Sequence, residues 1–187
     1  EDFAKSLKII GKQINQIENL VNEFSDFARM PKPILKDNNL IDLTKENINL
    51  LTELDNSIEI KLNNLTNEIF LNSDSEQLSR VFFNLIKNSI ESIQEKKQIN
   101  PNYKGKIDIE LKDNDTYIDF VIKDNGVGFG IFSDNIKNIL NPYFTTKKKG
   151  TGLGLSIVNK IINDHHGTLN FKSLDNGAEI KIMFKKQ

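Results

Sequence analysis

Residues 150–162 read GTGLGLSIVNKII, a glycine-rich loop that runs straight into an amphipathic helix. Three glycines, Gly150, Gly152 and Gly154, alternate in the loop with Thr151, Leu153 and Leu155. Backbone amides at the start of a helix have no partner within it, and the helix dipole favours an anion beside them. The segment therefore predicts a phosphate-binding loop, with a flexible hinge as the structural alternative. It matches neither GxxxxGK[ST] nor the Rossmann GxGxxG pattern.

A second glycine segment, Asp124-Asn125-Gly126-Val127-Gly128-Phe129, follows a predicted strand. Glycine allows backbone angles and close approaches that a side chain would forbid. Asp124, at the end of the strand, can accept a hydrogen bond from an exocyclic amine such as that of adenine. The segment fits nucleotide recognition, and an ordinary turn is the alternative.

The stretch between these two elements, residues 125–150, is rich in Gly, Asn, Lys and Thr. We predict a long mobile loop with a short helix inside it. The loop contains Pro142-Tyr143-Phe144-Thr145-Thr146-Lys147. This piece offers aromatic packing, two hydroxyls and a cation close to the predicted phosphate loop.

Two asparagines stand on one face of a strongly predicted helix that Asp74 caps and that runs to about Lys96. Asn84 and Asn88 are four residues apart, with Lys87 beside them. Asparagine is a mediocre helix former, so two of them among apolar residues need partners. They are either buried amides bonded to a loop or oxygen ligands for a magnesium ion, which prefers hard oxygen donors.

The remaining pattern mixes helices with alternating strands. Helices are predicted at 43–54 and 152–164, single strands at 57–62 and 68–71, and hairpins at 106–123 and 168–184. Runs of helices and antiparallel hairpins indicate an α+β fold with helices on one face of a mixed sheet.

The first thirty residues carry apolar side chains that alternate in steps of four and three: Phe3, Leu7, Ile10, Ile14, Ile17, Val21, Phe24 and Ala28. This heptad seam predicts a long helix, either packed on its own domain or paired with others in a bundle or dimer. Met30-Pro31-Lys32-Pro33 ends it, because proline cannot continue a helix. We therefore divide the chain into a helix (1–30), a linker (31–39) and a domain (40–187).

Composition excludes several classes of protein. The 187 residues include 25 Lys and Arg and 26 Asp and Glu, so no global basic field attracts nucleic acid or anionic lipid. The chain has no cysteine, which rules out disulfides, thiolate metal sites and a cysteine nucleophile, and which fits a reducing compartment. No apolar run approaches the roughly 18–20 residues that cross a bilayer.

The order of the motifs resembles the Bergerat-fold ATPases, the superfamily of gyrase, heat-shock chaperone ATPases, MutL and histidine kinases. Residues 84–88 are similar to the N box, 124–129 to the G1 box, 142–147 to the F box and 150–155 to the G2 box. Asn176-Gly177-Ala178 is similar to the weaker G3 motif. The resemblance implies a two-layer α/β sandwich preceded by one long bundle helix.

Within the superfamily, sensor histidine kinases match best. Hydrolytic members have a glutamate where Asn84 stands, and the F box is a kinase feature. Residues 23–31, EFSDFARMP, resemble the NtrY-like kinases of nitrogen regulation. The implied function is donation of the γ-phosphate of ATP to a histidine. The alternatives are an ATP-gated binding module without transfer and a serine kinase of the anti-sigma-factor type, against which the heptad helix argues.

The resemblance also implies the role of each site residue. Asn88 would hold magnesium through its amide oxygen, and Asn84 and Lys87 would act in catalysis by orienting metal and phosphates. Asp124 would bind the adenine amino group, with Gly126 and Gly128 leaving room for the ring. Residues 130–150 would form a lid that orders on ATP. Further nucleotide contacts would come from Phe129, Phe144, Thr145, Thr146, Lys147, Gly150, Thr151, Gly152, Leu153, Gly154 and Leu155.

Two departures from the family stand out. Ala178 replaces a threonine found in many relatives, and the only histidines are His165 and His166, at a helix end remote from the heptad helix. We expect both histidines to be structural or solvent-facing, and the acceptor histidine to lie upstream, so this chain alone should not phosphorylate itself. Expected partners are ATP, a response regulator receiver domain and a second copy through the bundle helix, with no nucleic acid. The expected location is the cytoplasmic part of an inner-membrane sensor, joined to the membrane only through segments outside this chain.

Overall fold

The computed structural model describes residues 2–129, 139–145 and 150–186. Along these residues the elements follow in the order α1 (Asp2–Ala28), β1 (Lys36–Asn39), α2 (Leu40–Leu54), β2 (Ile58–Asn64), β3 (Phe70–Ser73), α3 (Ser75–Ile99), β4 (Gly105–Asp113), β5 (Tyr117–Asp124), α4 (Gly154–Asp164), β6 (Gly167–Leu174) and β7 (Gly177–Lys185). The predicted helices and hairpins are confirmed. The short helix predicted inside 125–150 falls mainly outside the described residues.

Five strands form a mixed sheet in the order β2-β4-β5-β7-β6. β2 and β4 are parallel, with α3 in the crossover between them, and the other neighbouring pairs are antiparallel. One face carries buried apolar side chains such as Ile109 and Ile122, and the other carries ion pairs such as Lys123–Glu179, at 2.9 Å. Alternation along each strand separates the two faces, so the helices pack on the apolar one, as predicted.

The helix layer follows from local sequence signals. Asp74 caps α3 as predicted, accepting a hydrogen bond from the Gln77 N–H at 3.1 Å. α3 then lies across the sheet, and its Phe82 ring stacks on Phe120 of β5 with centroids 4.5 Å apart. α2 begins at Leu40, three residues before the predicted start, because the Asn39 side chain caps it by accepting from the Ile41 N–H.

The strand β1 is absent from the sequence prediction. It pairs antiparallel with β3 in a separate two-stranded sheet. Its sequence, Lys-Asp-Asn-Asn, has no apolar alternation, so nothing local marks it as a strand. The backbone of β3 supplies the pairing, and the strand thereby fixes the direction from which the chain enters the domain.

The helix α1 precedes this domain and leaves its heptad seam exposed. Phe3 is 77% exposed, Ile17 is 60% exposed and Phe24 is 46% exposed. Most of the seam therefore does not pack on the domain of the same chain, which was one of the two alternatives. The division into bundle helix, linker and domain remains a prediction. Among the described residues, none of the helices combines the length and the apolar character needed to span a bilayer.

Candidate functional site

A cavity of about 430 Å³ opens between α3, the loop after β5, the start of α4 and β7. It brings together most of the predicted site residues: Asn84, Lys87, Asn88, Asp124, Gly128, Phe129, Phe144, Thr145, Gly150, Thr151, Gly152, Gly154 and Leu155. The volume lies within the range of small-molecule sites. Thr146 and Lys147, also predicted, lie outside the described residues.

Asp124 places a carboxylate at the buried end of this cavity. It is the last residue of β5 and is only 8% exposed. Its Oδ1 accepts from the Gly126 N–H at 2.9 Å, and its Oδ2 accepts from the Ser89 hydroxyl at 3.3 Å. Burial raises the pKa of the Asp124 carboxyl, and these donors oppose the shift only in part. A buried carboxylate with a raised pKa on a cavity wall is typical of a ligand site.

The backbone of another segment lies close to Gly126 and to Gly128. This packing is a reason for glycine that the sequence analysis did not predict. A Cβ at Gly126 would lie 2.7 Å from the backbone carbon of Ser92, on α3, and Gly126 does not line the cavity. A Cβ at Gly128 would lie 2.6 Å from the Gly177 carbonyl oxygen. That both glycines leave room for an adenine ring remains a prediction. The missing side chain of Gly126 lets the loop pack against α3.

The polar residues of α3 line the cavity along one helical face, as the spacing predicts. The Asn84 side-chain amide donates to the Arg80 carbonyl at 2.8 Å. Its nitrogen is therefore hydrogen-bonded within α3 and not to a loop. The remaining Asn84 oxygen faces the phosphate loop, since it lies 3.4 Å from where a Cβ of Gly154 would be. Lys87 is exposed, with its ammonium 6.0 Å from the Phe83 ring centroid.

The predicted phosphate loop is held against the F-box segment. Gly152 has φ of 71°, and a Cβ there would lie 2.8 Å from the Phe144 carbonyl oxygen. The Tyr143 N–H donates to the Gly152 carbonyl at 3.1 Å. α4 therefore begins at Gly154, two residues later than predicted. Leu153 is fully buried in the core, and the predicted contact of this residue with nucleotide remains a prediction.

The helix α1 touches this region through an aromatic contact. The Phe24 ring of α1 stacks on Tyr143, with centroids 6.4 Å apart and planes inclined by 28°. Tyr143 is 57% exposed and has φ of 67°, a left-handed conformation that a bulky residue seldom adopts. The contact brings the last turn of the heptad seam beside the F-box segment.

Several cavity residues were not predicted from the sequence: Arg80, Phe83, Ser89, Glu91, Ser92, Ile139, Ile157 and Ile180. Arg80 and Glu91 stand one helical turn before Asn84 and after Asn88, so helical spacing alone contained a signal for them. Ala178 pairs with Asp124 across β5 and β7. The resemblance to the G3 motif points to this position, and the sheet register explains why it lies beside Asp124.

The two histidines lie at the far end of α4, away from the cavity. His165 is 7% exposed and is bonded through both ring nitrogens, while His166 is exposed with φ of 56°. The prediction that they are structural or solvent-facing is confirmed.

A family model for the histidine kinase-, DNA gyrase B-, and HSP90-like ATPases matches residues 73–187. The chain belongs to this ATPase family. An NtrY-like sensor histidine kinase of Rickettsia felis is 33% identical over 185 residues, 98% of this chain and 30% of that protein. The predicted similarity to NtrY-like kinases is confirmed, and the chain spans less than a third of this relative.

Solved structures agree with the match. The catalytic domain of histidine kinase ThkA gives a TM-score of 0.70 at 27% identity, covering 82% of this chain and 96% of that one. ThkA in complex with response regulator protein TrrA gives 0.78 at 25% identity, covering all of this chain and 52% of that one. These matches identify the chain as an ATP-binding catalytic domain of the histidine-kinase type.

Proposed function

We propose that this chain binds ATP together with magnesium and donates the γ-phosphate to a histidine held on another part of the protein. The observation that carries the proposal is that the buried Asp124 carboxylate and the Gly150–Leu155 loop line the same cavity. An adenine amino group would donate to Asp124, and the phosphates would meet the amides that open α4. The domain would contribute position and charge neutralisation rather than a covalent group.

The donor chemistry of the cavity fits magnesium only in combination with phosphate. Among residues 2–129, 139–145 and 150–186, no group of three or more acidic, histidine or cysteine side chains could hold a metal ion. Asn88 is half-buried on the cavity wall and offers an amide oxygen, the hard donor that magnesium prefers. Magnesium would supply charge neutralisation at the phosphates. Asn84 and Lys87 would orient the phosphates from the same helical face.

The exposed seam of α1 supports the proposed partners. Seven apolar residues are exposed by 46–77% along it: Phe3, Leu7, Ile10, Ile14, Ile17, Val21 and Phe24. In the whole protein we propose that this seam packs in a homodimeric bundle that also carries the acceptor histidine. A response regulator receiver domain would then accept the phosphoryl group. We propose that the domain acts on the cytoplasmic side of an inner-membrane sensor for nitrogen regulation, where ATP is available.

A two-stage experiment tests this function. First, ATP with and without magnesium is titrated into the chain by calorimetry, and tighter binding with magnesium is expected. Second, a bundle fragment carrying its histidine is supplied with labelled ATP, and acid-labile label on that fragment is expected. Binding without transfer would favour the ATP-gated module, and absence of binding would overturn the proposal.

A further inference from the structure

His165 is a buried imidazole whose tautomer is fixed by its two partners. Its Nε2 lies 3.0 Å from the backbone nitrogen of Asp74, which can only donate. Its Nδ1 lies 2.8 Å from the Ile161 carbonyl oxygen, which can only accept. The ring therefore carries its proton on Nδ1 and accepts at Nε2. The end of α4 is tied in this way to the first residue before α3.

Asp74 connects this imidazole to the segment that follows α1. Its Oδ1 accepts from the Gln77 N–H as the cap of α3, and its Oδ2 accepts from the Ile34 N–H at 2.8 Å. Burial acts to raise the pKa of Asp74, but the N–H groups of Ile34, Gln77 and Glu76 outweigh it and lower the pKa. The carboxylate is thus held charged, in the form that binds Ile34.

The linker after α1 is held at a second point by the same turn of α3. The Gln77 side-chain amide donates to the Pro31 carbonyl at 3.1 Å, and Met30 packs on the core. The proline segment is predicted to begin a linker between the helix and the domain. In the structure the backbone of this segment is hydrogen-bonded to the side chains of Asp74 and Gln77.

The other end of α4 is the predicted phosphate loop. Gly154 and Leu155, which open the helix, line the cavity, and His165 caps its end after 11 residues, about 16 Å away. Ile157, Val158, Ile161 and Ile162 are buried in the core. A packed helix moves as a unit, so a displacement at the loop is transmitted to His165.

We propose that His165 is a positioning residue that couples occupation of the nucleotide cavity to the linker, through Asp74 and Ile34. The inference rests on the proposed binding of ATP. Hydrogen exchange at the Ile34 amide reports this coupling directly. Its hydrogen bond to Asp74 is the last in the series that runs from α4 through His165 and Asp74 to the linker. Nucleotide should hold α4 in place, strengthen the His165–Asp74 bond and slow hydrogen exchange at Ile34. Coupling of this kind is reciprocal, so loss of the Ile34 bond should weaken ATP binding by the same factor.

Two substitutions of His165 separate coupling from packing. His165→Gln keeps an acceptor near the position of Nε2, within reach of Asp74. His165→Asn keeps a donor near the position of Nδ1 for Ile161, but is too short to reach Asp74. Exchange at the Ile34 amide is measured with and without ATP-magnesium in the native chain and both variants, beside calorimetry and thermal unfolding.

The expected result is at least fivefold slower exchange at Ile34 with nucleotide in the native chain and in His165→Gln. His165→Asn should bind ATP and lose this response. An equal loss in both variants would show a merely structural histidine and overturn the coupling, as would a native response in His165→Asn. Calorimetric binding of ATP to the native chain with no change at Ile34 would overturn the coupling alone. Absence of ATP binding would overturn the proposed function and the coupling with it.

A second pair of variants keeps the test valid if His165 cannot be replaced without unfolding. Ile34 is 72% exposed, so it can be changed without disturbing the core. Ile34→Pro removes the N–H donor, and Ile34→Ala retains it. Ile34→Pro should weaken ATP binding at least fivefold relative to Ile34→Ala. Equal affinities would overturn the coupling.

Discussion

The Ser89 hydroxyl of α3 donates to the Asp124 carboxylate of β5 across 3.3 Å, joining the helix layer to the sheet at the buried end of the cavity. Ser89 is 3% exposed and Asp124 is 8% exposed. This bond and the Gly126 N–H orient the carboxylate before any ligand arrives. A ligand amine therefore meets an acceptor that is already in place.

Asp124→Asn should weaken ATP binding at least tenfold. The substitution removes the charge of an acceptor whose hydrogen bond to an amine contributes roughly 1.5–3 kcal/mol. Calorimetry measures the effect. Asp119→Asn is the matched control, because Asp119 lies on the same strand, bonds Lys181 at 2.9 Å and does not line the cavity. Unchanged affinity in Asp124→Asn, or an equal loss in the control, would contradict the assignment.

The same substitution should raise the stability of the ligand-free chain at neutral pH. An asparagine at 124 can still accept from the Gly126 N–H and donate to Ser89, without the cost of a buried charge. The pKa of Asp124 is raised in the folded chain. The free energy of unfolding of the native chain therefore falls as pH rises from the ordinary carboxyl pKa through the raised one. The advantage of Asp124→Asn should be smallest below the ordinary carboxyl pKa, about 3.9, and should grow as pH rises. Denaturant unfolding at several pH values checks this, and an advantage that shrinks with rising pH would contradict it.

Gly152→Ala should weaken ATP binding at least tenfold. The residue has φ of 71°, and an added Cβ would lie 2.5 Å from the Tyr143 carbonyl carbon, so the phosphate loop must shift. Gly11→Ala is the control, because a Cβ at Gly11, within α1, meets nothing within 4 Å. The control should retain affinity and lose no stability, since alanine is the better helix former. Native affinity in Gly152→Ala would show that the loop does not contact the phosphates.

His166→Gly should stabilise the chain by about 0.5–1 kcal/mol. His166 follows the C-cap of α4 with φ of 56°, where a side chain costs about 1–2 kcal/mol. Glycine relieves this strain, which exceeds its greater loss of conformational freedom on folding. Denaturant titration measures the change. His166→Ala keeps the strain and should show no gain in stability. An equal gain in both variants would show that backbone strain is not the cause.

Incubation of this chain with labelled ATP-magnesium should give no phosphohistidine. Both ring nitrogens of His165 are bonded inside the fold, and His166 lies at the same end of α4, about 16 Å from its start. A bundle fragment with its own histidine should acquire acid-labile label. Label on the chain itself that disappears in His166→Ala would show that the acceptor has been misplaced.

The sequence by itself determined the fold class and the order of the site elements. Period-two alternation marked the strands of both hairpins, and the Asp74 cap marked the start of α3. The side chains at 84, 87 and 88 share one helical face wherever the helix packs, because 3.6 residues make a turn. The alternating glycines at 150–154 likewise identified the loop that opens α4. These signals are local, so they can be read before the chain is folded.

The tertiary structure alone decided the features that depend on distant contacts. Strand β1 exists because β3 pairs with it, and Gly126 is required because α3 passes behind the loop. Ser89 joins the cavity because α3 packs against the end of β5. The bond between His165 and Asp74 joins residues 91 positions apart in sequence. A single sequence carries no record of such pairings, because they arise only when packing of the apolar faces brings the elements together.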